Sequence, residues 1–237
     1  MTNFLVLDIE TVPDGELYSP AQPNPGTERT FPPIFACKPV VIGVMWLDEN
    51  LVCKKVGTIG EGKDEGAMLA DFSEFVNKWE PTLVTWNGRG FDLPVLMLRS
   101  LRHGVPAPWY YRKPSYRYRY STAGHIDLCD ILADYGATRM TSLHGAARLV
   151  GLPGKEGVDG SQVEALFRTG QIEALRGYCL SDVAQTAFLF LRYRLLAGLC
   201  DRAAYTQAAK GLLDAIAADP RLAPLVAHLD RARVLLE

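Results

Sequence analysis

Two carboxylates, Asp8 and Glu10, stand two residues apart directly after the apolar run Phe4-Leu5-Val6-Leu7. A short, partly β-branched run of this kind reads as a buried strand that delivers Asp8 at its C-terminal end. Residues two apart in a strand point to the same side, so Asp8 and Glu10 converge on one spot. Crowded carboxylates repel one another unless a cation neutralises them, and hard oxygen ligands suit Mg2+ or Mn2+. By itself the pair is more simply an acidic strand end exposed to water.

Two further acids follow. Asp92 closes the segment Trp86-Asn87-Gly88-Arg89-Gly90-Phe91-Asp92, where a strand-like run gives way to a helical one. Asp is a favoured N-cap residue and Asn-Gly is ordinary turn chemistry, so plain capping explains this segment as well as chemistry does. Asp182 lies in Tyr178-Cys179-Leu180-Ser181-Asp182, inside a long helical pattern. Tyr178 and Asp182 are four apart and therefore neighbours on one helical face. A solvated or salt-bridged Asp accounts for Asp182 if the segment stands alone.

The elements that must position these groups are legible in outline. Strands are expected at Phe4 to Leu7, Pro39 to Trp46, Leu51 to Gly57 and Thr82 to Trp86, with Asp48-Glu49-Asn50 as a hairpin turn. Residues 13–36 are proline-rich and read as loop. Met68, Leu69, Phe72, Phe75 and Val76 recur at helical spacing in 64–79, and a second helix is expected from Leu93 to His103. Ile126 to Ala133 reads as a strand edge passing into a helix. From Ser142 the chain is almost wholly helical. Gly151, Gly154, Gly157 and Gly160 mark a loop, a long helix runs from about Ile172 to Ala197, and two more helices split near Pro220. Strands first and helices mainly later indicate an α/β domain around a mixed sheet.

Taken together, the motifs say more than any one of them. A strand-end acid pair, an acid after a second strand and a Tyr-x3-Asp on a late helix, in this order, resemble the DEDD 3′–5′ exonuclease superfamily. LDIETVPD, WNGRGFDLPVL and YCLSDVAQT are similar to one subgroup, the predicted exonucleases related to the proofreading domain of family B DNA polymerases. The resemblance spans about residues 3–197 and leaves the C-terminal tail outside. The histidine branch places His five residues before the last Asp. Gly177 stands there in this chain, so the resemblance is to the tyrosine branch.

That resemblance implies an RNase H-like fold with a five-stranded mixed sheet. The domain would occupy residues 1–200, with a helical extension over 201–237 packed on it. It also implies two divalent ions, Mg2+ or Mn2+. Asp8, Glu10 and Asp182 would hold one, Asp8 would bridge to the second, and Asp92 would act mostly through water. Tyr178 would orient the attacking water, since a phenol with an ordinary pKa of about 10 is a poor general base at neutral pH. The partner implied is the 3′ end of a single-stranded DNA or RNA, with nucleoside 5′-monophosphates as products. Thr11, Asn87 and Phe91 are candidate substrate contacts, although a turn residue and a core aromatic explain Asn87 and Phe91 at least as well. Asp127 and Asp130 fall outside the motif and are expected to be structural or to support the site from behind.

Composition bounds the rest. The chain has 237 residues, 48% of them hydrophobic, enough for one well-buried core. The net charge is −2, so any hold on a polyanion must come from a local basic patch or from bound cations. The acid-free segment Trp109 to Tyr120 interleaves Arg112, Lys113, Arg117 and Arg119 with aromatics. Single-strand binders use this mixture, with cations for phosphates and rings for bases; a surface loop of packed tyrosines is the alternative. The five cysteines have no zinc or redox spacing, and the four histidines form no ligand pair. No stretch is long enough for a signal peptide or a membrane span. A cytoplasmic protein that does not contact membranes is therefore expected. Two rivals remain at this point: a binding module that kept the fold but lost turnover, and a hydrolase using a strand-end Asp as nucleophile. The second would not explain Asp92 and Tyr178 together.

Overall fold

The computed structural model describes residues 2–19, 31–154 and 162–237. Five strands, β1 (Phe4–Pro13), β2 (Cys37–Leu47), β3 (Cys53–Thr58), β4 (Thr82–Thr85) and β5 (His125–Asp127), form one mixed sheet in the order β3-β2-β1-β4-β5. β1, β2 and β3 pair antiparallel; β4 and β5 run parallel to β1. Between β2 and β3 the Asp48 carboxylate accepts the amides of Asn50 and Val52, both at 2.9 Å, and fixes the hairpin turn.

Two layers of helices flank the sheet. On one side lie α1 (Glu65–Trp79), α2 (Asp92–His103) and α3 (Pro108–Arg112), with α4 (Pro114–Arg117) following. After α5 (Leu128–Leu132) the chain crosses to the other side with α6 (Leu143–Leu149), α7 (Val163–Arg168) and α8 (Ile172–Leu196). The tail adds α9 (Arg202–Ala217), α10 (Ala223–His228) and α11 (Arg231–Leu235). β1 divides its side chains between the two layers. Leu5, Leu7 and Ile9 enter the core under α1 and α2, while Phe4 and Val6 enter the core under α8. A strand covered on both faces reads as a continuous apolar run, which is why its even face was not obvious from hydropathy.

The structure departs from expectation in three places. β1 continues to Pro13, because β2 pairs with it as far as Cys37 after a register slip between Glu10 and Thr11. Asp8 and Glu10 therefore lie inside a strand, not at its end. Residues 105–121 hold two short helices, each begun by a proline at its first position. The tail contains three helices and a 3-10 turn at Pro220–Leu222 instead of two helices. Gly157 and Gly160 lie outside the described residues. α8 is buried on all sides from Asp182 to Leu191, since the sheet lies under it and α9 over it. No helix among the described residues is long and apolar enough to cross a membrane, and the five cysteines are free.

A buried ion pair ties the N-terminal strand region to α1 and α2. The Arg99 guanidinium meets both Glu65 oxygens, at 2.5 and 2.8 Å, and Asp14 Oδ2 at 2.7 Å. Burial pushes both carboxyls up, but hydrogen bonds and charge from Arg99 outweigh it and hold them below their ordinary values. His103 assists at Glu65 and the Glu16 amide at Asp14. Arg99→Ala should cost about 3–5 kcal/mol at neutral pH, because it strands two buried charges. With both pKa values depressed in the folded protein, the pair contributes fully above about pH 4 and loses its contribution as the pH falls through the folded values. Chemical denaturation of wild type and variant from pH 7 down to pH 3 checks this: the gap should narrow on acidification. An equal gap at both ends would show that Arg99 acts through packing alone.

Candidate active site

The even face of β1 turns Asp8 and Glu10 toward α8. Gly43 of β2 is the partner of Asp8 across the ladder. A Cβ at Gly43 would lie 2.6 Å from Cys179 Sγ, so the glycine is what lets α8 settle this close to the sheet. Cys179 Sγ then sits 3.4 Å from the Asp8 carbonyl oxygen and 3.5 Å from its Oδ2, donating to both. Ligand atoms of Asp8, Glu10 and Cys179 all fall within 4.8 Å of one another, a group able to hold a metal ion. Tyr178 and Asp182, on the same stretch of α8, are 8% and 5% exposed. Gln185, three residues further along, directs Nε2 to Asp182 Oδ1 at 3.4 Å and accepts the Gly154 amide at 2.8 Å.

The third element arrives from the end of β4. Phe91 occupies the N-cap of α2 and Asp92 is its first residue, one position later than plain capping requires. The Asp92 carboxylate meets its own amide and that of Ile9, which brings it to β1. The 87–91 loop in front of it is held from behind. Asp127 accepts the amides of Asn87 at 2.9 Å and Arg89 at 2.8 Å. The Arg89 guanidinium in turn reaches the carbonyls of Tyr116, Tyr118 and His125. Asn87 adopts φ +64°, a left-handed conformation that asparagine tolerates better than most residues. His125 is buried against Thr85 Oγ1 at 2.8 Å, far from a ligand role, and burial together with the Arg89 charge lowers its pKa well below the ordinary value.

Electrostatics joins the four acids into one cluster. Burial raises the Asp8 carboxyl well above its ordinary value, and the charges of Asp92, Glu10 and Asp182 raise it further, against the Cys179 hydrogen bond. Asp92 is pushed to about 7, by burial first and then by Asp127 and Asp182, despite the two amides that favour its charged form. Mutual repulsion of this kind is what a divalent cation relieves, and four carboxylates offer the hard oxygens that Mg2+ or Mn2+ prefers. Burial and the neighbouring Asp8 charge push the Cys179 thiol well above its ordinary value, consistent with its place as a donor to Asp8.

Sequence reasoning singled out all five of these groups; in the structure the four acids come within reach of one another's charge from β1, α2 and α8, and Tyr178 lies one turn before Asp182 on α8. It passed over Cys179 and Gln185. The signal available for Gln185 was its position three residues after Asp182, hence on the same helical face. Thr11 follows the register slip in β1 and hydrogen-bonds Cys37; Phe91 packs edge-on against Phe31 at 5.7 Å. In the segment at 109–120, Trp109 and Tyr116 are buried in the core beneath α1. Lys113 pairs with Glu80 and Arg119 with Asp130, whereas Arg112 and Arg117 are exposed with no carboxylate partner among the described residues. Tyr111, Tyr118 and Tyr120 are exposed as well.

A family model described as "Predicted 3'-5' exonuclease related to the exonuclease domain of PolB" matches residues 29–230. That match takes in most of the tail, which the motif resemblance left out. Among solved structures, the family B DNA polymerase of the hyperthermophilic archaeon Pyrobaculum calidifontis aligns with a TM-score of 0.58 and 21% identity, over 92% of this chain and 29% of the polymerase. The chain thus spans under a third of that relative, and the likeness establishes the RNase H-like fold. Exonuclease I of E. coli, solved in complex with a dA16 oligonucleotide, aligns with a TM-score of 0.34 and 15% identity over 64% of this chain and 31% of that one. No curated protein matches the sequence.

Proposed function

This chain belongs to the family of predicted 3′–5′ exonucleases related to the exonuclease domain of PolB, and on that premise we propose that it hydrolyses single-stranded DNA or RNA from the 3′ end. The observation that carries the reading is that the charges of Glu10, Asp92 and Asp182 all bear on Asp8, with Tyr178 one turn before Asp182 on α8. Asp8, Glu10 and Asp182 would hold one divalent cation, and Asp8 would help to hold a second, with Asp92 acting mostly through water. Two such ions, Mg2+ or Mn2+, would lower the pKa of a bound water and stabilise the attacking and leaving oxygens of an in-line displacement.

The protein's own groups supply orientation. Tyr178 hydrogen-bonds the attacking water and aims it at the last phosphodiester. Cys179 steadies Asp8, and Gln185 steadies Asp182. The water oxygen bonds to phosphorus as the bond to the 3′ oxygen of the preceding nucleotide breaks. The departing oxygen takes up a proton to become a new 3′-OH, and a nucleoside 5′-monophosphate is released. Residues 1–200 form the exonuclease domain in this reading, with 201–237 as an extension packed on it. The experiment is digestion of labelled single-stranded DNA, single-stranded RNA and recessed duplex, with Mn2+, with Mg2+ and in excess EDTA. Laddering from the 3′ end only with metal supports the proposal. Metal-independent digestion sinks it, and binding without digestion points instead to a module that kept the fold and lost turnover.

Substrate grip falls to the rim around the 87–91 loop and the α3–α4 segment. Thr11, Asn87 and Phe91 lie near the terminal nucleotide, and Arg112, Lys113, Arg117 and Arg119 face the strand. Lys113 and Arg119 are already neutralised by carboxylates, so Arg112 and Arg117 make the main phosphate contacts, and exposed tyrosines stack on bases. Each phosphate contact on a single strand contributes a salt slope of about −0.7. Arg112→Ala/Arg117→Ala should therefore weaken oligonucleotide binding and flatten its salt dependence by about 1.4, while Tyr118→Ala/Tyr120→Ala weakens binding at nearly constant slope. Binding to Asp8→Ala protein across a salt series reads both. Wild-type affinity and slope in the arginine variant would make this segment a bystander.

A further inference from the structure

A cavity of about 280 Å3 opens beside Tyr178 and Asp182. Its floor and inner wall come from α8, at Gly177, Tyr178 and Asp182; the tail closes the outer side with Arg221, Pro224 and Leu225. This volume lies just below the roughly 300–1,000 Å3 typical of small-molecule sites. Two partners brace the walls. Gln185 holds the Gly154 backbone at one edge, and Leu225 is anchored in the core at 3% exposure.

Gly177 is the telling residue. It stands inside a 25-residue helix, where glycine costs about 1 kcal/mol relative to alanine. Packing does not require it: a Cβ would meet only the Arg221 carbonyl oxygen, at 3.5 Å, an ordinary contact. What the missing side chain preserves is open space one residue from Tyr178. Apart from Asp182, which belongs to the carboxylate cluster, the cavity's chemistry is that of an uncharged ligand. Pro224, Leu225 and the Tyr178 ring present carbon, and the rim charges are internally paired. Arg221 binds the Asp219 carboxylate through Nε at 2.9 Å and a terminal nitrogen at 2.6 Å, and Glu173 pairs with Arg176.

We propose that this cavity seats a nucleoside adjoining the scissile phosphate, so that residues 221–225 of the tail are a wall of the active site. The inference rests on the reading of Tyr178 and Asp182 as catalytic. The phosphate stays with the carboxylate cluster, and the neutral base and sugar enter the carbon-lined space. That nucleoside comes either from the released 5′-monophosphate or from the end of the retained strand.

Gly177→Leu fills the cavity from its floor and Leu225→Trp from its outer wall, with Gly177→Ala as the milder change. Three quantities decide: KM for a 3′-labelled oligonucleotide with Mn2+, affinity for deoxyadenosine 5′-monophosphate by calorimetry, and melting temperature. Gly177→Ala should melt no lower than wild type, and Gly177→Leu should weaken one of the two binding constants on the order of tenfold. A change confined to the monophosphate identifies the released nucleoside as occupant; one confined to KM identifies the retained strand. Unchanged KM and monophosphate affinity in Gly177→Leu and in folded Leu225→Trp, beside a wild type that digests, overturns the proposal. Monophosphate binding is read without turnover, so a protein that fails to digest sinks the catalytic reading separately from the cavity.

Discussion

Asp182→Ala should slow 3′-end digestion by roughly 10³-fold or more, while the metal-free protein melts no lower than wild type. The rate loss follows from the role of a bound cation, which contributes several kcal/mol of transition-state charge stabilisation, each 1.36 kcal/mol being tenfold in rate. The stability outcome follows from the cluster itself. Asp182 adds to the charge that raises Asp8 and Asp92, so removing it relieves repulsion in the absence of metal and outweighs the loss of contacts such as the long hydrogen bond from Gln185 at 3.4 Å. A second readout needs no turnover. A ligand that binds only the folded state raises the melting temperature with its concentration, so Mn2+ should stabilise wild type and stabilise Asp182→Ala much less. Asp8→Ala should behave in the same way. An Asp182→Ala protein that digests at the wild-type rate, or that keeps the full Mn2+ shift, would remove Asp182 from the metal site.

Tyr178→Phe should lower the maximal rate by roughly 10²-fold and leave KM and oligonucleotide affinity nearly unchanged. The ring is 8% exposed and packs with Val12, Val41 and Leu175, a contact that phenylalanine retains. Only the hydroxyl is lost. A hydrogen bond to the attacking water matters more as bonding to phosphorus develops than in the ground state, and an interaction of that kind appears in the maximal rate and not in binding. Removal of one positioned hydrogen-bonding group at a transition state typically costs about 10²–10³-fold. Single-turnover digestion by excess enzyme, compared with binding to the same strand in Ca2+, separates the two. A variant that loses affinity at constant rate would make Tyr178 a substrate contact, and an unchanged rate would leave its hydroxyl without a part in the reaction.

The acids and the tyrosine were readable from the chain because their placement depends on local periods. Two residues apart in a strand, four apart in a helix, and the first turn after a strand are short-range relations, and they put Asp8 with Glu10, Tyr178 with Asp182, and Asp92 at the start of α2. The mixed sheet and the order of its elements followed from the same periods and from the turn at Asp48. Motif order carried the family resemblance. Local pattern was weakest where tertiary contacts override it. The aromatic segment at 109–120 has the composition of a binding loop, yet Trp109 and Tyr116 are core residues and two of its four cations are paired with Glu80 and Asp130, acids outside the segment.

Only the folded chain decided what holds the site in place. Gly43 matters because the Cys179 thiol occupies the space where its side chain would stand. Asp127 matters because two amides of the 87–91 loop point at it. Gln185 matters because Asp182 and Gly154 both reach it. The tail's place beside Tyr178 likewise exists only once α9 has packed on α8 and carried residues 221–225 back across its surface. Apart from the Gln185–Asp182 contact within α8, each of these joins segments tens of residues apart or more, fixed by how the sheet, α8 and the tail fill the same space. Spacing along a chain specifies which side chains share a face, but not which distant backbone will come to lie against them.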